Sequence, residues 1–148
     1  MNVSIKRSND KYRVLDIEEA LLILESCIFY KNIRPILINE ELDLNIFKEI
    51  MDRNIFVTYD ILIIDSKQDV KQEFHSHPDI EARWTIDGYA NFYIYHNDEI
   101  YKLEVEKGDF LIINSGIVHC YLYKSSINSY HNVVRFFNKS LTGWSDIM

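Results

Sequence analysis

Only two cysteines occur among the 148 residues, Cys27 and Cys120. They lie far apart and form no CxxC pair, which argues against a thiolate zinc site or a disulfide framework. Proline is as scarce, with two, and glycine occurs four times. So little backbone punctuation, beside 47% hydrophobic and 14% aromatic residues, speaks against disorder and for an ordered, β-rich globule. Positive charge is in deficit: the formal net charge is −7 and there is no basic run. Such a surface repels phosphate, which argues against general binding to nucleic acid or to an anionic membrane. No apolar run approaches the ~18 residues that a bilayer span needs. The opening residues, MNVSIKRSNDKYR, lack the apolar stretch of a signal peptide. The expectation is a soluble cytoplasmic protein, a monomer or a small homo-oligomer. The length fits one domain over 1–148, since domains run to roughly 100–200 residues.

Helical signals are confined to the first part, 1–54. Residues 16–30, DIEEALLILESCIFY, begin with acids and continue with apolar residues, which predicts a helix whose dipole welcomes the early charges. Residues 43–53, DLNIFKEIMDR, place Leu44, Phe47, Ile50 and Met51 on one stripe behind Asp43 as N-cap. Arg34-Pro35 separates the two. From residue 55 to about 140 the period becomes that of strands. Seven β-branched and aromatic runs follow at short intervals, with turns at 87–88, 96–98, 107–109 and 114–116. Asp87-Gly88 reads as a hairpin. Short strands with regular turns predict a β-sandwich or small barrel.

One stretch is dense in ligand-type side chains: FHSHPDIEARW, residues 74–84. In extended chain, alternate residues share a face. His75, His77, Glu81 and Arg83 have one parity; Phe74, Ile80 and Ala82 have the other. Two imidazoles and a carboxylate suit a divalent first-row metal. His119 is the best candidate for a fourth ligand from a neighbouring strand, with Cys120 pointing to the opposite face. Three histidines and one glutamate leave octahedral positions open to substrate or O2. An inward Arg83 beside a metal suits an anionic ligand. Arg135, flanked by apolar residues in VVRFF, needs an acidic partner or a ligand. His96 and His131 read as ordinary surface or loop histidines, Asp79 as a turn residue, and Trp84 and Trp144 as packing.

These residues resemble the two cupin motifs. The first runs from His75 to Gly88, with Asp69 where its leading glycine would stand. The second appears as GDFLIINSGIVHCYLY, where Gly108, Gly116 and His119 match and Asn114 replaces a proline. Within the cupins the chain is most similar to acireductone dioxygenase, through HSHPDIEAR, EKGD, GIVH and RFF with Trp144 downstream. The resemblance implies a mainly β fold, a cupin-type double-stranded β-helix or jelly-roll barrel over 55–140, with N-terminal helices packed on it. It implies one divalent metal, Fe(II) or Ni(II), with Mn or Co also accepted, held by His75, His77, Glu81 and His119. Arg83 and Arg135 would sit by a small anionic substrate, and Tyr121 would stand where the family has a substrate-contacting Phe. The implied reaction cleaves an acireductone-type enediol with O2 to a 2-keto acid and formate, as in methionine salvage. Glu81, Arg83 and Arg135 would carry the catalysis. Two alternatives stay open. One is a divergent cupin acting on another enediol or diketone, or an isomerase or lyase without O2. The other is a ligand-binding cupin that is not an enzyme.

Overall fold

The computed structural model describes residues 1–7, 9–38, 41–54, 56–65, 67, 69–126 and 128–138. Trp144 lies outside the described residues. In chain order the elements are β1 (Asn2–Arg7), β2 (Arg13–Leu15), α1 (Ile17–Ile23), β3 (Ile28–Asn32), β4 (Leu37–Ile38), β5 (Glu41–Leu42) and α2 (Leu44–Asn54). They continue as β6 (Thr58–Ile64), β7 (Val70–Lys71), β8 (Glu81–His96), β9 (Glu99–Glu106), β10 (Asp109–Ile113), β11 (His119–Tyr123) and β12 (His131–Phe137). The fold is mainly β. All strand pairings are antiparallel, in one curled sheet plus the small pair β4–β5.

The sheet curls because β8 belongs to two layers. Its first half pairs with β10 and β12, which β3 and β6 flank. Its second half pairs with β9 and β11, flanked by β1 and β7. The predicted hairpin at Asp87-Gly88 is therefore not a hairpin. The chain runs straight through it as one strand with a bulge: Asn132 pairs with Asp87 and Val133 with Thr85, so Ile86 is the extra residue. Gly88 has φ +79°, and a Cβ there would stand 2.0 Å from the Tyr130 carbonyl oxygen. Only glycine fits this turn of the backbone.

The bulge switches which residues point inward. Before it, the odd positions Glu81 and Arg83 face the inside of the curl, while Ala82, Trp84 and Ile86 pack outside. After it, the even positions Ala90, Phe92 and Ile94 face inside. A single extra residue thus exchanges the two faces of a strand. The inner core joins Phe92, Ile94, Leu103, Leu111, Ile113 and Tyr123. A second core lies outside the first layer, where Ile50 of α2 packs with Phe56, Trp84, Phe110 and Phe136.

The expected helix over 16–30 stops early. Asp16 caps α1, its Oδ2 accepting from Glu19 N at 3.3 Å, but Ile28–Asn32 leave the helix and pair with β10 from Ile113 to Asp109. A strand partner 77 to 85 residues away outweighs local helical preference there. Over 43–53 the expectation and α2 agree, with Asp43 Oδ1 accepting from Asn45 N at 2.9 Å. The 96–98 turn is a hairpin turn between β8 and β9, with φ of +50° at Asn97 and +64° at Asp98, whereas the 107–109 turn, with φ +93° at Gly108, carries the chain from β9 to β10, which pair with opposite halves of β8.

Candidate metal centre

Two chain segments meet inside one end of the curl. His75 and His119 form an isolated antiparallel bridge: His75 N donates to His119 O at 3.0 Å and His119 N to His75 O at 2.9 Å. Gly116 N adds a bond to His77 O at 2.9 Å. The backbone thus clamps the HxH segment to the start of β11. Pro78 and Asp79 bend the chain before β8 begins at Glu81.

The three imidazoles converge. Ring centroids lie 4.6 Å apart for His75 and His119, 5.1 Å for His77 and His119, and 5.7 Å for His75 and His77. One donor atom from each lies within 4.8 Å of the others, a cluster that could hold a metal ion. Their second nitrogens are engaged alike. His75 Nδ1 lies 2.7 Å from Glu73 O, His77 Nδ1 2.8 Å from Asp79 O, and His119 Nδ1 2.8 Å from Ile117 O. A carbonyl only accepts, so each Nδ1 carries a hydrogen and donates. A neutral imidazole in that tautomer presents a lone pair at Nε2, the arrangement that outer carbonyls impose on metal-bound histidines.

Glu81 adjoins the cluster. It is 2% exposed, and its two oxygens have separate surroundings. Arg83 Nη2 donates to Oε1 at 2.7 Å. Oε2 lies 2.9 Å from His119 Nε2, an ion-pair distance when His119 is protonated. With His119 neutral and its hydrogen on Nδ1, two buried lone pairs face each other there, an arrangement that is costly in an apolar interior and suits a shared cation. Three imidazole nitrogens and a carboxylate oxygen are a donor set for a divalent first-row ion. Burial pushes the Glu81 carboxyl up, but Arg83 and His119 outweigh it and hold it at about 2. Burial pushes the His119 imidazole down, and the neighbouring Glu81 outweighs that and raises it. His77 is lowered by burial.

A cavity of about 180 Å³ opens beside this group. Glu81, Arg83, Tyr121, His131 and Arg135 line it, with Gln72 and an apolar wall that includes Leu62, Ile64, Phe92 and Val133. The structure thus brings Arg83, Tyr121 and Arg135 to one cavity. The Arg135 guanidinium is met by Asp60 of β6: Nε donates to Oδ1 at 2.8 Å and Nη2 to Oδ2. Cys120 faces the other side of β11, in a separate cavity with Tyr12, Glu73 and Tyr93. Burial, with Glu73 adding to it, pushes its thiol up to about 11.

His131 is a correction. It is no surface histidine: it is 0% exposed, and its rings and nitrogens are fully engaged. Nδ1 lies 2.7 Å from Tyr121 Oη and Nε2 2.9 Å from Thr85 Oγ1. Burial and the nearby Arg83 charge push its imidazole down to about 3. The signal was its parity with Arg135 on β12, which puts both on the inner face. Gln72 was also missed; its Oε1 accepts from Tyr121 N at 3.1 Å.

Comparison with known proteins places the chain. The ARD/ARD' family model matches residues 38–146. The acireductone dioxygenase of Hydrogenobaculum sp. (strain Y04AAS1) is 32% identical over 73 residues, 49% of this chain and 39% of that protein. The acireductone dioxygenase of Aquifex aeolicus (strain VF5) is 29% identical over 92 residues, 55% of this chain and 50% of that protein. The chain spans about half the length of the curated relatives it matches. A solved structure, acireductone dioxygenase from Bacillus anthracis with cadmium ion in active center, matches with a TM-score of 0.65 at 14% identity, over 93% of this chain and 94% of that one. That likeness shows the fold, a cupin-type barrel.

Proposed function

The chain belongs to the ARD/ARD' family, and from that premise we propose that it is a metal-dependent dioxygenase cleaving an acireductone-type enediol. The observation that carries the proposal is the convergence of three Nδ1-anchored histidines with Glu81 Oε2, at the edge of a cavity floored by Arg83. His75, His77 and His119 would hold one Fe(II) or Ni(II) through Nε2, and Glu81 through Oε2. The ion, when bound, supplies Lewis acidity toward the oxygens of an enediolate.

The residues of the chain do the rest. The carbonyls of Glu73, Asp79 and Ile117 fix the three tautomers and ring orientations. Arg83 fixes the Glu81 carboxylate by one oxygen and leaves the other toward His119. The same guanidinium adds positive charge to a largely apolar cavity, which favours an anionic substrate where water is scarce. Arg135, already paired with Asp60 through Nε and Nη2, contributes shape at the cavity wall, its charge offset by that carboxylate. In the balanced reaction O2 breaks the bond between C1 and C2 of the 1,2-dihydroxy-3-keto compound. One oxygen atom ends in formate and one in the carboxyl of the 2-keto acid.

The test is an anaerobic-start oxygen-electrode assay of Fe(II)-reconstituted protein with an acireductone. The expected result is O2 uptake matched one to one by formate and 2-keto acid. A metal-loaded protein that consumes no O2 refutes the dioxygenase; substrate loss without O2 uptake assigns isomerisation or lysis instead.

A further inference from the structure

The polar chain at the inner end of the cavity has no part in holding the metal, yet it is built with care. Tyr121 Oη, His131 and Thr85 Oγ1 form a line of two short hydrogen bonds, 2.7 and 2.9 Å, all buried. Tyr121 and His131 stack with ring centroids 5.8 Å apart at 26°. Phe92 leans on Tyr121 at 5.1 Å, and Gln72 holds its backbone N. The tyrosine ring is therefore fixed from three sides.

A neutral imidazole has one donor and one acceptor. With both His131 nitrogens engaged, the chain has a direction. When Nδ1 carries the hydrogen, it donates to Tyr121 Oη and leaves the tyrosine O–H to donate elsewhere. When Nε2 carries it, Tyr121 donates to Nδ1 and keeps a lone pair. In either case His131 satisfies only part of the hydroxyl, and Tyr121 lines the cavity that Glu81 and Arg83 share. A wholly apolar substrate tail packed against this hydroxyl would leave its remaining hydrogen-bonding capacity unmet, which costs free energy.

We propose that Tyr121, oriented by His131 and Thr85, is a specificity-determining residue that selects substrates carrying an oxygen function on the tail beyond the chelating atoms. This rests on the metal-site reading above and narrows its substrate class: hydroxylated or otherwise oxygenated enediols and 2-keto compounds, in preference to purely alkyl ones. Tyr121 touches the substrate; His131 and Thr85 are positioning residues that act through it.

The test uses Ni(II)-loaded protein and calorimetric binding of stable chelators in matched pairs, 2-oxobutyrate with 4-hydroxy-2-oxobutyrate and pyruvate with 3-hydroxypyruvate. In each pair the members differ by one tail hydroxyl. The expected result is that for at least one pair the hydroxylated member binds roughly 3- to 10-fold tighter, the range of one net hydrogen bond. In Tyr121→Phe that ratio falls to within twofold of one, and in Thr85→Val it falls part of the way. Tyr123→Phe removes a buried hydroxyl on the same strand that bonds Ser129 instead, and it keeps the ratio. Thermal melting of each variant shows whether it is folded. If Tyr121→Phe does not fold, Thr85→Val and the wild-type ratio decide. Equal affinity within both pairs in the wild type, or a ratio that survives Tyr121→Phe, overturns the proposal and leaves the metal site standing. No bound nickel and no binding of any chelator overturns both.

Discussion

Replacing Arg83 by Met tests whether this guanidinium is part of the metal centre or only part of the cavity wall. Arg83 is 7% exposed and its Nη2 sits 2.7 Å from Glu81 Oε1, while Glu81 is 2% exposed. Removing one partner of a buried ion pair leaves the other charge uncompensated, at a cost of about 3–5 kcal/mol. The Arg135–Asp60 pair is the internal control. Its side chains are 27% and 29% exposed, and a partly solvated pair contributes about 1 kcal/mol. Urea unfolding of the metal-free proteins should therefore show Arg83→Met losing at least ~2 kcal/mol more than Arg135→Met. The pH dependence has a definite sign. Glu81 sits at about 2, below its ordinary 4.5, so the pair stabilises fully above pH 4.5 and is lost as pH falls toward 2. That acid-side loss should shrink in Arg83→Met. Nickel affinity, read by calorimetry, should fall roughly 10- to 100-fold, as when a partner that orients a metal ligand is removed. Equal destabilisation by the two substitutions, or unchanged nickel affinity in Arg83→Met, refutes the reasoning.

Two further outcomes follow from the geometry. Gly88 and Gly116 share a left-handed backbone, φ +79° and +78°, but only at Gly88 would a Cβ meet the Tyr130 carbonyl; at Gly116 no atom of the described residues lies within 4 Å. Gly116→Ala should cost about 1 kcal/mol for the left-handed residue alone. Gly88→Ala should cost at least ~2 kcal/mol more, since Tyr130 O must also move off its bond with Tyr89 N; equal costs in chemical unfolding would contradict the bulge. His131 should stay neutral. Its imidazole lies at about 3, below the ordinary 6.5, so the fold gains stability as pH rises from 3 to 6.5 and keeps it above. Its ring resonances in NMR should not move between pH 8 and 5, and a titration midpoint near 6.5 would show that the histidine is not buried.

Much of the site was legible because it is written at the period of a strand. Glu81 and Arg83 share a face by alternation, and so do His119 and Tyr121, so parity alone sorted inward from outward residues and sent Cys120 to the other side. Gly108 and Gly116 announced their turns. What was not legible depended on partners distant in sequence. Ile28 to Tyr30 look helical until β10 offers a ladder. Asp87-Gly88 has the composition of a hairpin, but β12 pairs on both sides of it, and the glycine serves a bulge. Arg135 needs an acid or a ligand by its apolar neighbours, but only the fold supplies the acid, Asp60, 75 positions away on β6. His131 stands at the start of a strand run, and nothing local reveals that Tyr121 and Thr85 close over it.

The central claim is that His75, His77, Glu81 and His119 hold one divalent metal. The most direct measurement is the metal content of the purified, reconstituted protein by mass spectrometry, for the wild type and for His75→Ala and His119→Ala. The account predicts about one Fe or Ni per chain in the wild type, lost in both variants while they remain folded. A folded wild-type protein that takes up no metal, or a variant that keeps a full equivalent, would contradict it.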